Sequence, residues 1–242
     1  MKLETHCHTL GGSRCADGDR DVFVSVYKNA GYGGVVITNH FSSDSYDYIK
    51  GDTKEQKIRY YFSLIEDMKE RLNKSGLKCF WGTEVRAMPE NGADHGEEFT
   101  VYGITEKMMY DNRLLFEFTQ KELFEFADKN GLFMYQTHPF RFKVKAGDPK
   151  YMHGAEAFNG HYHHYAHNAL ANAFCENNNL IKMSGTDYHH DGQPLTGGIF
   201  VPDNIETEEQ LISCIFSGNF TLYKDEILYE EKIKEHKEGR LK

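Results

Sequence analysis

The chain has 242 residues, with 28 lysines and arginines against 37 aspartates and glutamates, a formal charge of −9. That length suits one large domain, such as an α/β barrel, and supports a core without disulfides. The acidic balance argues against long nucleic acid as a partner, because phosphate binding needs a basic surface.

Along the chain, short apolar runs alternate with amphipathic stretches. Residues 3–9 read as a strand and 21–30 as a helix ending at Gly31. The β-branched run Gly34 to Asn39 reads as a buried strand. From Lys54 to Lys74, apolar residues at Ile58, Tyr61, Phe62, Ile65, Met68 and Leu72 have helical spacing, and Gly76 closes the helix. Strands are expected over 78–87, 99–104, 132–137, 156–159 and 181–184, and helices over 120–130, 164–176 and 207–217. Gly197-Gly198 reads as a turn before Ile199-Phe200-Val201, and the charged segment 230–242 as a solvated helical tail following one domain over 1–229. Alternating β and α elements predict a parallel sheet with outer helices. A barrel is favoured over an open sheet because polar residues recur at strand C-terminal ends, where barrels assemble their sites.

Those strand ends carry the chemistry. The first ends in His6-Cys7-His8, whose two imidazoles share one face. Others end in Thr38-Asn39-His40, Gly82-Thr83-Glu84, Thr137-His138-Pro139 and Gly185-Thr186-Asp187-Tyr188-His189. Each motif alone reads as an ordinary capped or salt-bridged strand end. Five together favour a polynuclear metal centre, with imidazole and carboxylate donors that suit Zn, Mn or Fe alike.

In this order, the motifs resemble the PHP (polymerase and histidinol phosphatase) domain, from about Leu3 to His190. The resemblance implies a distorted (β/α)7 barrel as a single domain, two or three divalent ions, and phosphoesterase activity. It implies that His6, His8, Glu84 and Asp187 hold a first ion. Glu84 would bridge to a second ion on His138, while His40 and His189 hold a third. Where the family places an Asp after the histidine pair this chain has Ser13, with Asp17 the nearest substitute. Where the family often supplies a histidine before strand 99–104 it has Glu98, with His95 a little earlier.

Phosphate esters need positive charge near their oxygens, which nominates Arg141 first and Arg14 second. His190 is a candidate proton donor to the leaving group. The segment Gly160 to Asn168 is expected to line the pocket, with Asn159 and Asn168 supporting the ligands. Cys7 should point into the barrel wall, and Cys15 shows no activating partner. No GxSxG or phosphate-loop pattern is present.

The expected activity is hydrolysis of a small phosphomonoester by a hydroxide bridging two ions. The rivals are an amidohydrolase-like metal hydrolase and a metal-binding domain with decayed catalysis. Glu84 early and Asp187-x-His189 late argue against the first rival; Ser13 and Glu98 keep the second open. No apolar run approaches the ~18 residues of a membrane span. The first residues lack a signal-peptide core, and five cysteines without a CxxC suit a reducing compartment, so a cytoplasmic location is expected.

Overall fold

The strand that opens the chain, β1 (Lys2–Cys7), is buried from Leu3 onward, and the remaining strands are arranged around it. The computed structural model describes residues 1–89 and 96–239. After β1 come α1 (Arg20–Asn29), β2 (Gly34–Ile37), the short β3 (His40–Phe41), α2 (Ser43–Tyr48) and α3 (Lys54–Ser75). Then follow β4 (Lys78–Arg86), β5 (Glu98–Tyr102), α4 (Glu106–Asp111), α5 (Gln120–Lys129), β6 (Phe133–Gln136) and β7 (Gly154–Asn159). The rest comprises α6 (Asn168–Asn177), β8 (Ile181–Gly185), β9 (Gly197–Phe200), α7 (Glu208–Phe216), β10 (Thr221–Lys224) and α8 (Glu226–Lys237).

Local chemistry sets the helix limits. Asp19, Thr53, Thr119 and Thr207 accept backbone N–H bonds at the starts of α1, α3, α5 and α7, and Gln56 and Glu122 complete capping boxes. Gly76 ends α3 in the left-handed conformation, at φ 87°.

The sheet runs β10-β9-β1-β2-β4-β5-β6-β7-β8, with β3 paired to β4. Its far edge curls back onto β1: Asp187 N donates to His6 O (2.8 Å) and His8 N to Tyr188 O (2.9 Å). Strands β1, β2 and β4 to β8 thereby form a nearly closed, seven-stranded distorted barrel. Gly185 permits that closure, since a Cβ there would lie 2.5 Å from His6 Cβ.

The expected all-parallel sheet is corrected at β5, which pairs antiparallel with both β4 and β6. Residues 87–97 are fewer than the dozen or more that a parallel crossover needs, so the chain returns as a hairpin. Glycines 197 and 198 belong to β9, not to a turn. They sit in an antiparallel ribbon with β10, where a Cβ on Gly197 would lie 2.3 Å from Gly185 O.

Leu3, Val36, Phe80, Tyr102, Phe133, Tyr135 and Met183 from successive strands meet in one apolar cluster, covered by Leu211, Ile212 and Ile215 of α7. Each fully buried side chain of this kind contributes about 1.5–3 kcal/mol. The expected helix over 164–176 begins only at α6, because the Asn168 side chain bonds the Asn159 backbone in both directions (2.9 and 3.1 Å) and His167 turns left-handed (φ 51°). Nor is the C-terminal segment simply solvated: α8 buries Tyr229 and Ile233 against Phe158 and Tyr162. Among the described residues, no helix is long and apolar enough to cross a membrane.

Candidate metal centre

Seven of the nominated side chains converge at the C-terminal rim of the barrel. His6, His8 and Asp187 form one group of donors, His6, Glu84 and His138 a second, and His8, His40 and His189 a third. Within each group the donor atoms lie within 4.8 Å of one another. Glu84 is central: Oε1 stands 3.2 Å from His138 Nε2 and 3.4 Å from His6 Nε2, and Oε2 stands 2.8 Å from His40 Nδ1.

Neighbouring groups fix which nitrogen each histidine presents. His6 Nδ1 donates to Glu156 Oε1 (3.0 Å), His8 Nδ1 meets Ser13 Oγ (2.9 Å), and His189 Nδ1 donates to the Asp187 carbonyl (2.8 Å). Their Nε2 atoms are left for the centre, the arrangement that metal-ligating histidines use. Two backbone positions are held in the left-handed region, His138 at φ 31° and Asp187 at φ 51°. Each is pinned by its own N–H, His138 to Glu156 Oε2 (2.9 Å) and Asp187 to His6 O (2.8 Å). Such strain persists only where surrounding bonds overdetermine it.

The donor set fits cations. His6 Nε2 and His8 Nε2 face each other at 3.1 Å, and the buried Asp187 Oδ1 and Glu84 Oε2 accept no well-aligned hydrogen bond. Buried polar atoms of this kind ordinarily have partners, and divalent ions between them would supply these. Burial opposes charge on Glu84 and Asp187. The histidines around them outweigh it and hold both carboxyls well below the usual range. Burial, with His189 and His40 nearby, pushes His8 well down, so it stays neutral and able to ligate.

Other nominated residues lie around this core. Glu98 is buried, 3.6 Å from His138 Nε2, and forms ion pairs with Arg86 (2.8 Å) and Arg141 (2.9 Å). It therefore sits at the edge of the donor set with both its oxygens engaged by arginines. Asp17 is not part of the cluster. Its backbone N–H and that of Gly18 bond His189 O, which turns the exposed carboxylate outward onto His190 Nδ1 (2.6 Å). His95 lies outside the described residues. Asn159 Nδ2 donates to Glu156 Oε2 (2.8 Å) and lies 3.3 Å from Asp187 Oδ2.

Above the core is a cavity of about 480 Å³, lined by Arg14, Cys15, His40, Arg86, Glu98, Arg141, His161, His163, His164, His189 and His190, among others. The segment Gly160 to Asn168 thus contributes three histidines to the wall. Cys7 points away, as expected, with its thiol on Val36 O. Cys15 does have partners. Burial alone would raise its thiol, but hydrogen bonds with His189 and His40 bring it down to about 6. Glu156 is the other residue that pattern reading passed over. It occupies an inward position in the small-residue strand GAEAFN, and a buried carboxylate there was the available signal.

By sequence, no family model and no curated protein matches the chain. By structure, it is similar to a two-domain protein from Bacteroides vulgatus containing a predicted PHP-like metal-dependent phosphoesterase. The TM-score is 0.61 at 19% identity over 93% of this chain, which spans 64% of that one. It is also similar to PsfC from Pseudomonas syringae (TM-score 0.64, 17% identity, 88% of this chain and 87% of that one). An amidohydrolase from Chromobacterium violaceum, with bound sulfate and no metal, aligns over 93% of this chain and 98% of that one at 10% identity and TM-score 0.53. The chain has the fold of the PHP-like proteins.

Proposed function

We propose that this chain is a metal-dependent phosphoesterase acting on a small phosphomonoester. The observation that carries this reading is the placing of Glu84 within reach of His6, His40 and His138, beneath an arginine-lined cavity. His6, His8 and Asp187 would hold one divalent ion, Glu84 and His138 a second, and His40 with His189 a third. Divalent ions held there lower the pKa of a water and offset charge on phosphoryl oxygens.

The protein's own groups supply the rest. Arg141 reaches the rim with its guanidinium 4.0 Å from Asp187 Oδ2 and anchored on Glu98, a fixed fork for phosphoryl oxygens. Asp17 meets His190 Nδ1 and orients the ring, so Nε2 is placed to give a proton to the departing alkoxide. The cavity volume suits a small ester, and the formal charge of −9 disfavours long polyanions. Five free cysteines suit a reducing, cytoplasmic setting.

The test is metal analysis of chelator-free protein, followed by assay on p-nitrophenyl phosphate and bis-p-nitrophenyl phosphate with added Mn or Zn. Turnover of the monoester supports the reading. Less than one ion per chain with neither ester cleaved overturns it. The likeness to an amidohydrolase keeps C–N hydrolysis as a second reading, and cleavage of a p-nitroanilide but of neither ester by the same metal-loaded protein would select it.

A further inference from the structure

Arg14, Arg86 and Arg141 line the cavity, and the fold ties the last two to one carboxylate. The antiparallel pairing of β5 with β4 sets Glu98 directly opposite Arg86. Glu98 is buried, and its Oε1 accepts from Arg86 Nε (3.2 Å) and Nη2 (2.8 Å). Its Oε2 accepts from Arg141 Nη2 (2.9 Å). The far side of Arg86 is held as well. Its Nη1 donates to Asp44 Oδ1 (3.1 Å), which also accepts from the Ser42 hydroxyl at the start of α2 (2.7 Å).

These contacts do not exhaust the arginines. A guanidinium carries five N–H donors, so each keeps some for the cavity that both line. Because Oε1 and Oε2 belong to one carboxylate, the two Nη2 atoms are held at a separation that two oxygens of a phosphoryl group can bridge from the open side. Glu98 and the two arginines sum to one positive charge. Asp44, more than half exposed, is screened by solvent and offsets only part of it.

We propose that Arg86 is a specificity-determining residue that selects phosphomonoesters over diesters, with Glu98 the residue that positions it beside Arg141. This rests on the reading of the chain as a phosphoesterase. A monoester presents three non-bridging oxygens and, at neutral pH, close to two negative charges. A diester presents two such oxygens and one charge. Arg141 meets an oxygen that both classes have. Arg86 meets the third, at the position where a diester carries its second carbon group and leaves the donors unmatched. Glu98, expected among the ligands, thus serves the charge of the substrate instead.

The test compares p-nitrophenyl phosphate with bis-p-nitrophenyl phosphate on chelator-free, full-length protein, and adds calorimetry with inorganic phosphate. In Arg86→Ala the monoester-to-diester ratio of kcat/KM should fall roughly 100-fold, with ion content unchanged. Inorganic phosphate should bind about 10-fold more weakly to that variant. Arg86→Lys should recover part of the ratio, and Glu98→Gln should lower the ratio while keeping the ions. Arg71→Ala, which removes an arginine paired with Asp21 and Asp67 on the surface of α3, should leave the ratio alone. An unchanged ratio in Arg86→Ala, or ions lost from Glu98→Gln, would overturn the proposal and leave the phosphoesterase reading standing. Failure of the unmodified protein to cleave either ester would overturn both.

Discussion

Glu156 holds two of the proposed ligands at once: Oε1 accepts from His6 Nδ1 at 3.0 Å, and Oε2 accepts from the His138 backbone N–H at 2.9 Å. One carboxylate thereby orients an imidazole of the first strand and pins the strained turn at the end of β6. Loss of such supporting partners typically weakens metal binding about 10–100-fold. Glu156→Gln should do so in a competition titration with a chromophoric chelator, while the metal-free melting temperature changes little. Unchanged affinity would separate Glu156 from the centre.

His8→Ala and Asp187→Ala remove donors shared within the cluster. Both variants should remain folded by circular dichroism, bind fewer ions, and lose phosphoesterase turnover by at least about 100-fold, the scale on which a lost charge-stabilising element acts. Wild-type rates in both would show that the ligand set is misassigned.

Arg141→Ala leaves Glu98 with Arg86 as its ion-pair partner and withdraws the guanidinium from the cavity. A drop in kcat/KM of roughly 100-fold is expected with ion content unchanged. Arg141→Lys should recover only part of it, because an ammonium cannot present two parallel donors. Loss of ions in Arg141→Ala would instead make the arginine a support for Glu98.

Glu4 gives the metal-free protein a pH dependence of its own. Burial, opposed by bonds from Thr186, His6 and Tyr27, raises its carboxyl from 4.5 to about 6. The folded chain therefore holds this proton more tightly than the unfolded chain. Its contribution is fully present below pH 4.5 and is lost as the pH rises through about 6, at a cost of roughly 2 kcal/mol. In Glu4→Gln that loss is absent. Its melting temperature relative to the parent should thus rise between pH 4.5 and 6 and level off above. A difference that stays flat with pH would contradict the assignment.

Gly185→Ala forces a Cβ to within 2.5 Å of His6 Cβ at the closing seam. Overpacking of this kind costs about 1–3 kcal/mol. The variant should melt earlier and bind ions more weakly, and equal effects on both would show that seam and site are one unit.

Much of this was legible in the residues themselves. Period-3.6 spacing with a Thr cap and a closing glycine marks α3 within a residue, and apolar runs ending in histidine or acid mark the strands that present His6, His40, Glu84, His138 and Asp187. The reversed direction of β5 was not legible, because strand patterns carry no direction and only the connection length decides it. Asp17 left its expected place for a similar reason. Side-chain type nominated the carboxylate, but the bonds from residues 17 and 18 to His189 O turn it away from the centre. Glu156 stayed hidden because a single acid between alanines has no spacing signal.

The seam between β1 and β8 has a bearing on biosynthesis. A nascent chain that has emerged only through β7 carries His6, His8, His40, Glu84 and His138 but neither Asp187 nor His189. Until the residues after β8 leave the ribosome, the rim lacks the carboxylate of its first donor group and a histidine of its third. A cation that uses all of these donors would therefore be bound only by a chain that has already brought its two distant segments edge to edge.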